Sequence, residues 1–409
     1  MNLASSVALP IIALTFIGVA AGEYPGFKMN RATIALVGAV ALVALQIIMP
    51  AAALAAIDPN TLLLLFAMLI ISVHLRLAGF FSWIGQFIAL HTHSARWLLA
   101  WIILAAGVLA AFFLNDTVVV VFTPLVLEVT RALQRNPLPY LIGLAVAANI
   151  GSTAAITGNP QNMLIGLSSH LPFAAFLGAL GPLALIGLVV AWLMILLVYR
   201  TEFTTPWASK ALILDVQLDR PLLYKSLILI ALMLIAFLAG APIPLAAITV
   251  AAALLVSRRI QPETIFARVD WSLLIFFAGL FVVAGALEKT SALDRLFTLI
   301  EPAMRSGVGP LAVATAVLSN LVSNVPAVLL FRPVVPHLAD PNRAWLTLAM
   351  ASTLAGNLTL LGSVANLIVV EMARAEGVKI SFFEYLKVGV PLTVVTLILG
   401  ILWLNGVTG

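Results

Sequence analysis

The chain has 409 residues, 63% of them apolar and only 9% charged, where a soluble domain carries about 25% charged residues. So few polar side chains cannot cover a soluble surface, and the apolar residues gather in runs near the ~20 that cross a bilayer core. The net charge of +5 does not point to nucleic acid, because the 21 Lys and Arg are scattered over short loops, as beside membrane spans. The composition predicts an all-α polytopic membrane protein.

In chain order the apolar segments are 3–22, 32–56, 61–79, 97–130, 139–168, 172–199, 222–240, 243–257, 271–287, 307–335, 344–370 and 384–405. The first lacks a basic leader and reads as a span rather than a cleaved signal. Segments 97–130 and 307–335 are too long for one span, and each is interrupted by polar residues. Asn115-Asp116-Thr117 breaks the first and Ser323-Asn324-Val325-Pro326 the second. A polar tip between two short apolar arms predicts a re-entrant hairpin, tolerated at membrane depth only where protein or water satisfies its backbone. Segments 139–168 and 344–370 carry Gly, Asn, Ser and Thr between Asn149 and Asn162 and between Ser352 and Asn366. They predict helices broken in mid-span. The longest polar stretch, about 201–221, reads as a cytoplasmic linker.

These features repeat. A shift of 209 carries Asn115 and Pro124 onto Asn324 and Pro333, and a shift of 204 carries Gly158 and Asn162 onto Gly362 and Asn366. The order and spacing divide the chain into copies at 1–200 and 222–409. With the hairpins not crossing, each copy has five spans, so the second is inserted upside down. Inverted repeats with paired broken helices mark secondary transporters. With both termini on one side, 16 of the 21 Lys and Arg fall on the other. That excess predicts a multi-pass protein of the cytoplasmic (inner) membrane with both termini outside.

The tips and breaks should converge near the midplane. Half-helix N-termini there offer N–H groups to an anion or a hydroxyl-rich solute, while freed carbonyls and Asn, Ser and Thr oxygens suit a cation or hydroxyl donors. Asp116 is the acid at the centre of an apolar segment, where a bare carboxylate costs at least ~2.5 kcal/mol. It is either a site that alternates between a proton and another charge or a cap on a half-helix. Its repeat mate is Val325, so one titratable centre is expected. No basic residue sits deep in an apolar segment, which favours a neutral solute or a cation over a multivalent anion. Arg332, beside Pro333, is expected to snorkel outward or pair with a neighbour rather than draw an anion inward, and Glu371 to be solvated. With no Cys and only five His, no metal site is expected, and no Walker loop is present.

At Asn115-Asp116-Thr117, at Asn149-Ile150-Gly151-Ser152 and at Gly158-Asn159-Pro160-Gln161-Asn162 the chain resembles the ion transporter superfamily, closest to its arsenite efflux permease (ArsB-like) and silicic-acid efflux branch. The sodium-coupled dicarboxylate branch is similar more loosely. Its Ser-Asn-Thr signature at both tips is here Asn115-Asp116-Thr117 and Ser323-Asn324-Val325. The resemblance implies a scaffold domain, a transport domain holding hairpins and broken helices, elevator-type movement, and efflux of a small metalloid oxyacid (arsenite, antimonite) against protons. Asp116 would be the proton-coupling residue. Asn115, Thr117, Asn149, Ser152, Thr153, Asn159, Asn324, Asn357 and Thr359 would bind the substrate. The expected partners are a small-molecule or ion substrate, a coupling proton or sodium, the lipid bilayer and a second copy of the chain through the scaffold domain. An ATPase subunit stays open. No cofactor, enzymatic activity or nucleic acid is expected. A sodium- or proton-coupled carrier of an inorganic or dicarboxylate anion and a sodium/proton antiporter are the alternatives.

Overall fold

A computed structural model describes residues 3–22, 24, 26–205, 217–290 and 306–407. Residues 206–216 of the expected linker, with Lys210, and Arg295 and Arg305 of the charge pattern lie outside the described residues. Every regular element among the described residues is helical. Six helices there are long and apolar enough to cross a membrane: Pro59–Leu77, Ala95–Phe112, Phe173–Val198, Arg220–Leu238, Trp271–Glu288 and Phe382–Gly406.

The first half opens with α1 (Leu3–Ala21), α2 (Arg31–Ala44), short α3 (Pro50–Ala56) and α4 (Pro59–Leu77). The run at 32–56 is therefore two helices, divided where Gln46 takes a left-handed φ of 55° and Pro50 begins α3. Then follow α5 (Phe80–His91), α6 (Ala95–Phe112), α7 (Asn115–Ala132), α8 (Pro137–Ser152), α9 (Pro160–Ser169), α10 (Phe173–Val198) and α11 (Arg200–Thr204). The second half repeats the order: α12 (Arg220–Leu238), α13 (Ile243–Leu255), α14 (Pro262–Phe266), α15 (Trp271–Glu288), α16 (Val308–Val322), α17 (Asn324–Phe331), α18 (Pro341–Ala355), α19 (Val364–Ala375) and α20 (Phe382–Val407). Asn115 begins α7 and Asn324 begins α17, a shift of 209. Pro160 begins α9 and Val364 begins α19, a shift of 204. The repeat read from a few identities holds in the element boundaries.

The halves exchange partners. Helix α2 lies along α15 and α13 lies along α4, so the second span of each half packs on the third span of the other. Helices α6 and α8 pair as α16 and α18 do, and α10 meets α20. This reciprocity belongs to a two-fold relation between inverted repeats. α8 is buried from Pro139 to Ser152 and α18 from Ala344 to Ala355, so the two broken helices form the centre. α10, α12 and α20 turn rows of apolar residues outward, such as Leu185, Val189 and Leu193 or Ile228, Leu232 and Ile235. An outer surface of that kind suits lipid. Close approach at the centre depends on small residues: a Cβ on Gly151 would stand 2.0 Å from the carbonyl oxygen of Gly107, so α8 can press on the α6 backbone only with a glycine at 151.

One expectation changes. The arms of the first hairpin are not short, since α6 and α7 have 18 residues each and α6 alone could cross a bilayer. Those of the second have 15 and 8 residues. What marks the first hairpin is its tip, where the Asn115 N–H donates to the Gly158 carbonyl (3.0 Å) inside the break between α8 and α9.

Candidate functional site at the two helix breaks

Each break frees carbonyls that a continuous helix would use, and in each an asparagine collects them. The Asn162 amide donates to the carbonyls of Ser152 (2.9 Å) and Ala155 (3.2 Å). The Asn366 amide donates to those of Gly356 (2.8 Å) and Thr359 (3.2 Å). Acceptors and donors alike are displaced by 204 residues. Half-helix α9 is capped by Asn159, whose Oδ1 accepts the Asn162 N–H at 2.8 Å, and Ser363 holds the equivalent position before α19.

Two further residues brace each break against the other. The Asn149 amide donates to Asn357 Oδ1 (2.9 Å) and Asn366 Oδ1 (3.0 Å), and Asn149 Oδ1 accepts from Ser363 Oγ (2.9 Å) and Asn115 Nδ2 (3.2 Å). Those four bonds use the full capacity of a carboxamide. Its mate is Thr353, whose Oγ1 accepts from Asn159 Nδ2 (3.2 Å) and donates to Asn162 Oδ1 (3.4 Å). The first break is thus held from the second half and the second from the first. All of these residues are buried.

The structure brings together Asn115, Asn149, Ser152, Thr153, Asn159 and Asn357 of the residues read from sequence. Ser152 Oγ and Thr153 Oγ1 turn back to the Asn149 carbonyl, at 2.8 and 3.3 Å. Asn324 belongs to the other tip: its Oδ1 accepts from Ser319 Oγ at 2.6 Å, and it stands beside Gly356. Thr359 contributes a carbonyl to Asn366, while its half-buried hydroxyl has no partner. Asn162, Ser363, Thr353 and Asn366 were not among the expected site residues, although the 204-residue shift already paired Asn162 with Asn366.

Asp116 and Thr117 face elsewhere. In the first turn of α7 they line a cavity of about 620 Å³ that reaches Leu361 and Val364 at the second break. The Asp116 carboxylate is half-buried and accepts no hydrogen bond, so it is not a cap, and Leu114 holds the N-cap position. It still benefits from the positive end of an 18-residue helix. The same cavity is lined by Arg31, Arg76 and Arg268 and by Asp270 and Glu371. The absence of basic residues from deep apolar segments therefore does not carry over to the site. Helix ends distant in sequence bring three guanidiniums to the chamber of Asp116, and Arg31 is the cation whose charge acts on it. Hairpin 1 and α19 contribute Asp116 and Glu371 to the cavity, α2 and α4 contribute Arg31 and Arg76, and the link between α14 and α15 contributes Arg268 and Asp270. Glu371 is solvent-exposed as expected.

A second cavity of about 670 Å³ lies against Asp58, Gly166, His170, Gly240, Arg332 and Trp345. The link between α12 and α13 holds the place there that the link between α1 and α2 holds in the first cavity. It ends at Gly166, seven residues past the Asn159 cap, or about 10 Å of helix. One cavity reaches tip and break; its counterpart stops short. Arg332 is among the residues that line the second cavity. Among the described residues no cluster of His, Asp and Glu could hold a metal ion.

Comparison with known proteins fits this geometry. The model of the citrate transporter (CitMHS) family matches residues 14–355. The chain belongs to the citrate transporter (CitMHS) family. Within the wider ion transporter superfamily it is 32% identical to the silicon efflux transporter LSI3 of Oryza sativa subsp. japonica, over 92% of this chain and 93% of that one. It is 23% identical to a Dictyostelium discoideum protein named as a transporter, arsB, over 91% of this chain and 87% of the other. The crystal structure of the Alcanivorax borkumensis YdaH transporter superposes with a TM-score of 0.54 at 16% identity, covering 98% of this chain and 97% of that chain. That likeness concerns the fold alone. The protein is a multi-pass membrane transporter of the CitMHS family.

Proposed function

We propose that this CitMHS protein exports a small oxyacid of the arsenite, antimonite or silicic-acid type in exchange for protons, with Asp116 as the coupling carboxylate. The observation that carries this reading is an unpaired carboxylate at a hairpin tip, on the wall of a cavity that reaches the second break. A group so placed can exchange a proton with the chamber without first breaking a protein bond. The name of the LSI3 relative, a silicon efflux transporter, supports this chemical class. Under the sequence orientation, with both termini outside an inner membrane, the cavity of Asp116 opens to the cytoplasm. That is the side from which an exporter loads.

Among the residues expected to bind substrate, Asn115 through its unbonded Oδ1, Thr117 and Thr359 keep polar atoms free for a solute. Asn149, Ser152, Thr153, Asn159 and Asn357 act by holding the breaks. In this scheme repeats 1–200 and 222–409 contribute equally to a scaffold and a transport unit. The unit carries hairpins and broken helices across the membrane in an elevator movement, and copies of the chain pair through the scaffold.

A second reading has its own support. Three arginines in the chamber of Asp116 suit a carrier of an inorganic or carboxylate anion. Sealed proteoliposomes decide between the two by proton movement upon addition of arsenite, antimonite, silicic acid, sodium or di- and tricarboxylates. The first reading requires signals from the metalloid acids that Asp116→Asn abolishes. A signal from carboxylates alone establishes the second, and one unchanged in Asp116→Asn removes Asp116 from coupling.

A further inference from the structure

Two of the cavity's arginines form no ion pair with any residue of the described chain. Arg76 lies in the last turn of α4 and Arg268 just beyond α14. Both line the cavity, Arg76 half-buried and Arg268 exposed. Neither guanidinium forms a hydrogen bond or an ion pair, yet they are near enough for their like charges to act on each other. Five N–H donors on each are therefore available to the same cavity. Guanidiniums that line one cavity without a partner are the arrangement that an oxyanion relieves, by two-pronged charge-assisted hydrogen bonds.

The carboxylates on the same cavity narrow the choice of anion. Asp270 gives one oxygen to the Leu273 N–H at the start of α15, and Glu371 accepts no hydrogen bond. Ionised carboxylates accept and do not donate. An anion whose oxygens are all bare would gain from the arginines and be repelled by Asp270 and Glu371. An anion that keeps a hydroxyl has something to offer both signs of charge.

We propose that Arg76 and Arg268 form an anion-binding site at the mouth of the cavity for a small oxyanion that retains at least one hydroxyl group. The site shares the cavity with Asp116 but does not use it, and does not depend on proton coupling. Hydrogen phosphate has this chemistry at neutral pH and sulfate, of similar size and shape, does not. The phosphate group could come from the aqueous phase or from the monoester headgroup of a lipid.

The full-length protein in nanodiscs of phosphatidylcholine provides the test, with thermal unfolding and titration calorimetry in phosphate, sulfate or chloride at equal ionic strength and pH 7. Phosphate should raise the unfolding temperature by several degrees, and sulfate and chloride should not. Arg268→Gln, at an exposed position, should weaken phosphate binding at least tenfold, as should Arg76→Gln. If Arg76→Gln does not fold, Arg76→Lys takes its place and should weaken binding less. Glu371→Gln should admit sulfate. Doping the discs with phosphatidic acid separates the sources. If the headgroup occupies the site, added phosphate loses its effect there and regains it in phosphatidylcholine alone; if not, the effect is unchanged. Equal stabilisation by phosphate and sulfate, or a phosphate effect that survives Arg76→Gln with Arg268→Gln, would overturn the proposal.

Discussion

At the first break Asn162 collects the carbonyls of Ser152 and Ala155; at the second, 204 residues on, Asn366 collects those of Gly356 and Thr359. The hairpin tips that meet these breaks are not matched. The first carries Asp116 on a cavity wall, and the second has Val325, buried, in its place. The first turns through Phe113 and Leu114 in ordinary extended or near-extended backbone, whereas the second turns at Ser323 with φ 78° and ψ 159°. The frame is built twice and the titratable chemistry once. A transporter needs matching halves to have two related end states. It does not need two charges, each of which would cost at least ~2.5 kcal/mol at membrane depth.

The largest expected effect comes from removing the unmatched group. Asp116→Asn should reduce substrate-driven proton movement to the level of empty liposomes while changing the unfolding temperature little, because its carboxylate bonds nothing. Val325→Asp in that background should not restore coupling, since Val325 is buried away from the cavity. Recovered transport in the double variant would mean that the tips are interchangeable and that the asymmetry is incidental.

Next is the brace. Asn149→Ala removes four hydrogen bonds and strands polar groups on Asn115, Asn357, Ser363 and Asn366. Bonds of this kind inside membranes average about 0.6 kcal/mol each, and each buried group left without a partner costs about 1–3 kcal/mol in a soluble core. A loss of about 3 kcal/mol is expected. Thr353→Val, at the mate with longer bonds, should cost about 1 kcal/mol. Unfolding in mixed micelles measures both, and equal losses would show that the two braces bear equally despite their different lengths.

Much of the frame was legible in the sequence because its causes are local. A polar triplet inside an apolar run stops a helix wherever it stands, so Asn115 and Asn324 fall on true helix starts. Glycine and asparagine at 158 and 162, echoed at 362 and 366, marked the breaks for the same reason. The partners were not legible. That Asn149 serves the other half's break while Asp116 turns into a cavity depends on the rotation of α7 and α8 about their axes. Helix α8 is buried on every side, so periodicity gives it no direction. In α7 the polar residues of the first turn belong to the hairpin tip whichever way the helix turns. The arginines were missed for a related reason. Arg31, Arg76 and Arg268 each sit at a helix end and read singly as loop charges, and only the packing of α2 on α15 and of α4 on α14 and α15 gathers them.

The glycines at the breaks sharpen the comparison further. A Cβ on Gly158 would meet the Ser152 carbonyl oxygen at 2.4 Å and backbone on all three nearest sides; on its mate Gly362 it would meet the Gly356 oxygen at 2.9 Å and the Asn320 side chain at 3.1 Å. Overpacking costs about 1–3 kcal/mol, more where only backbone can yield. Gly158→Ala should fall at the upper end of that range and Gly362→Ala at the lower, by the same unfolding assay. The reverse order would place the tighter break in the second half.

The smallest effect is a gain. Ser323 occupies a region of backbone space that is almost reserved for glycine, where a residue with a Cβ carries a cost of about 1–3 kcal/mol. Its hydroxyl does not offset this, since no hydrogen bond engages it. Ser323→Gly keeps the turn and removes the strain, at the expense of greater freedom in the unfolded chain. A net stabilisation of about 1 kcal/mol follows. The first tip offers no such gain, because Leu114 already sits at a φ of −56° and a glycine there would only add freedom to the unfolded state. If Leu114→Gly and Ser323→Gly shifted the unfolding temperature in the same direction, strain would not distinguish the tips. Opposite shifts would locate the strain in the hairpin that lacks the acid, where it can shape the turn without disturbing the site that titrates.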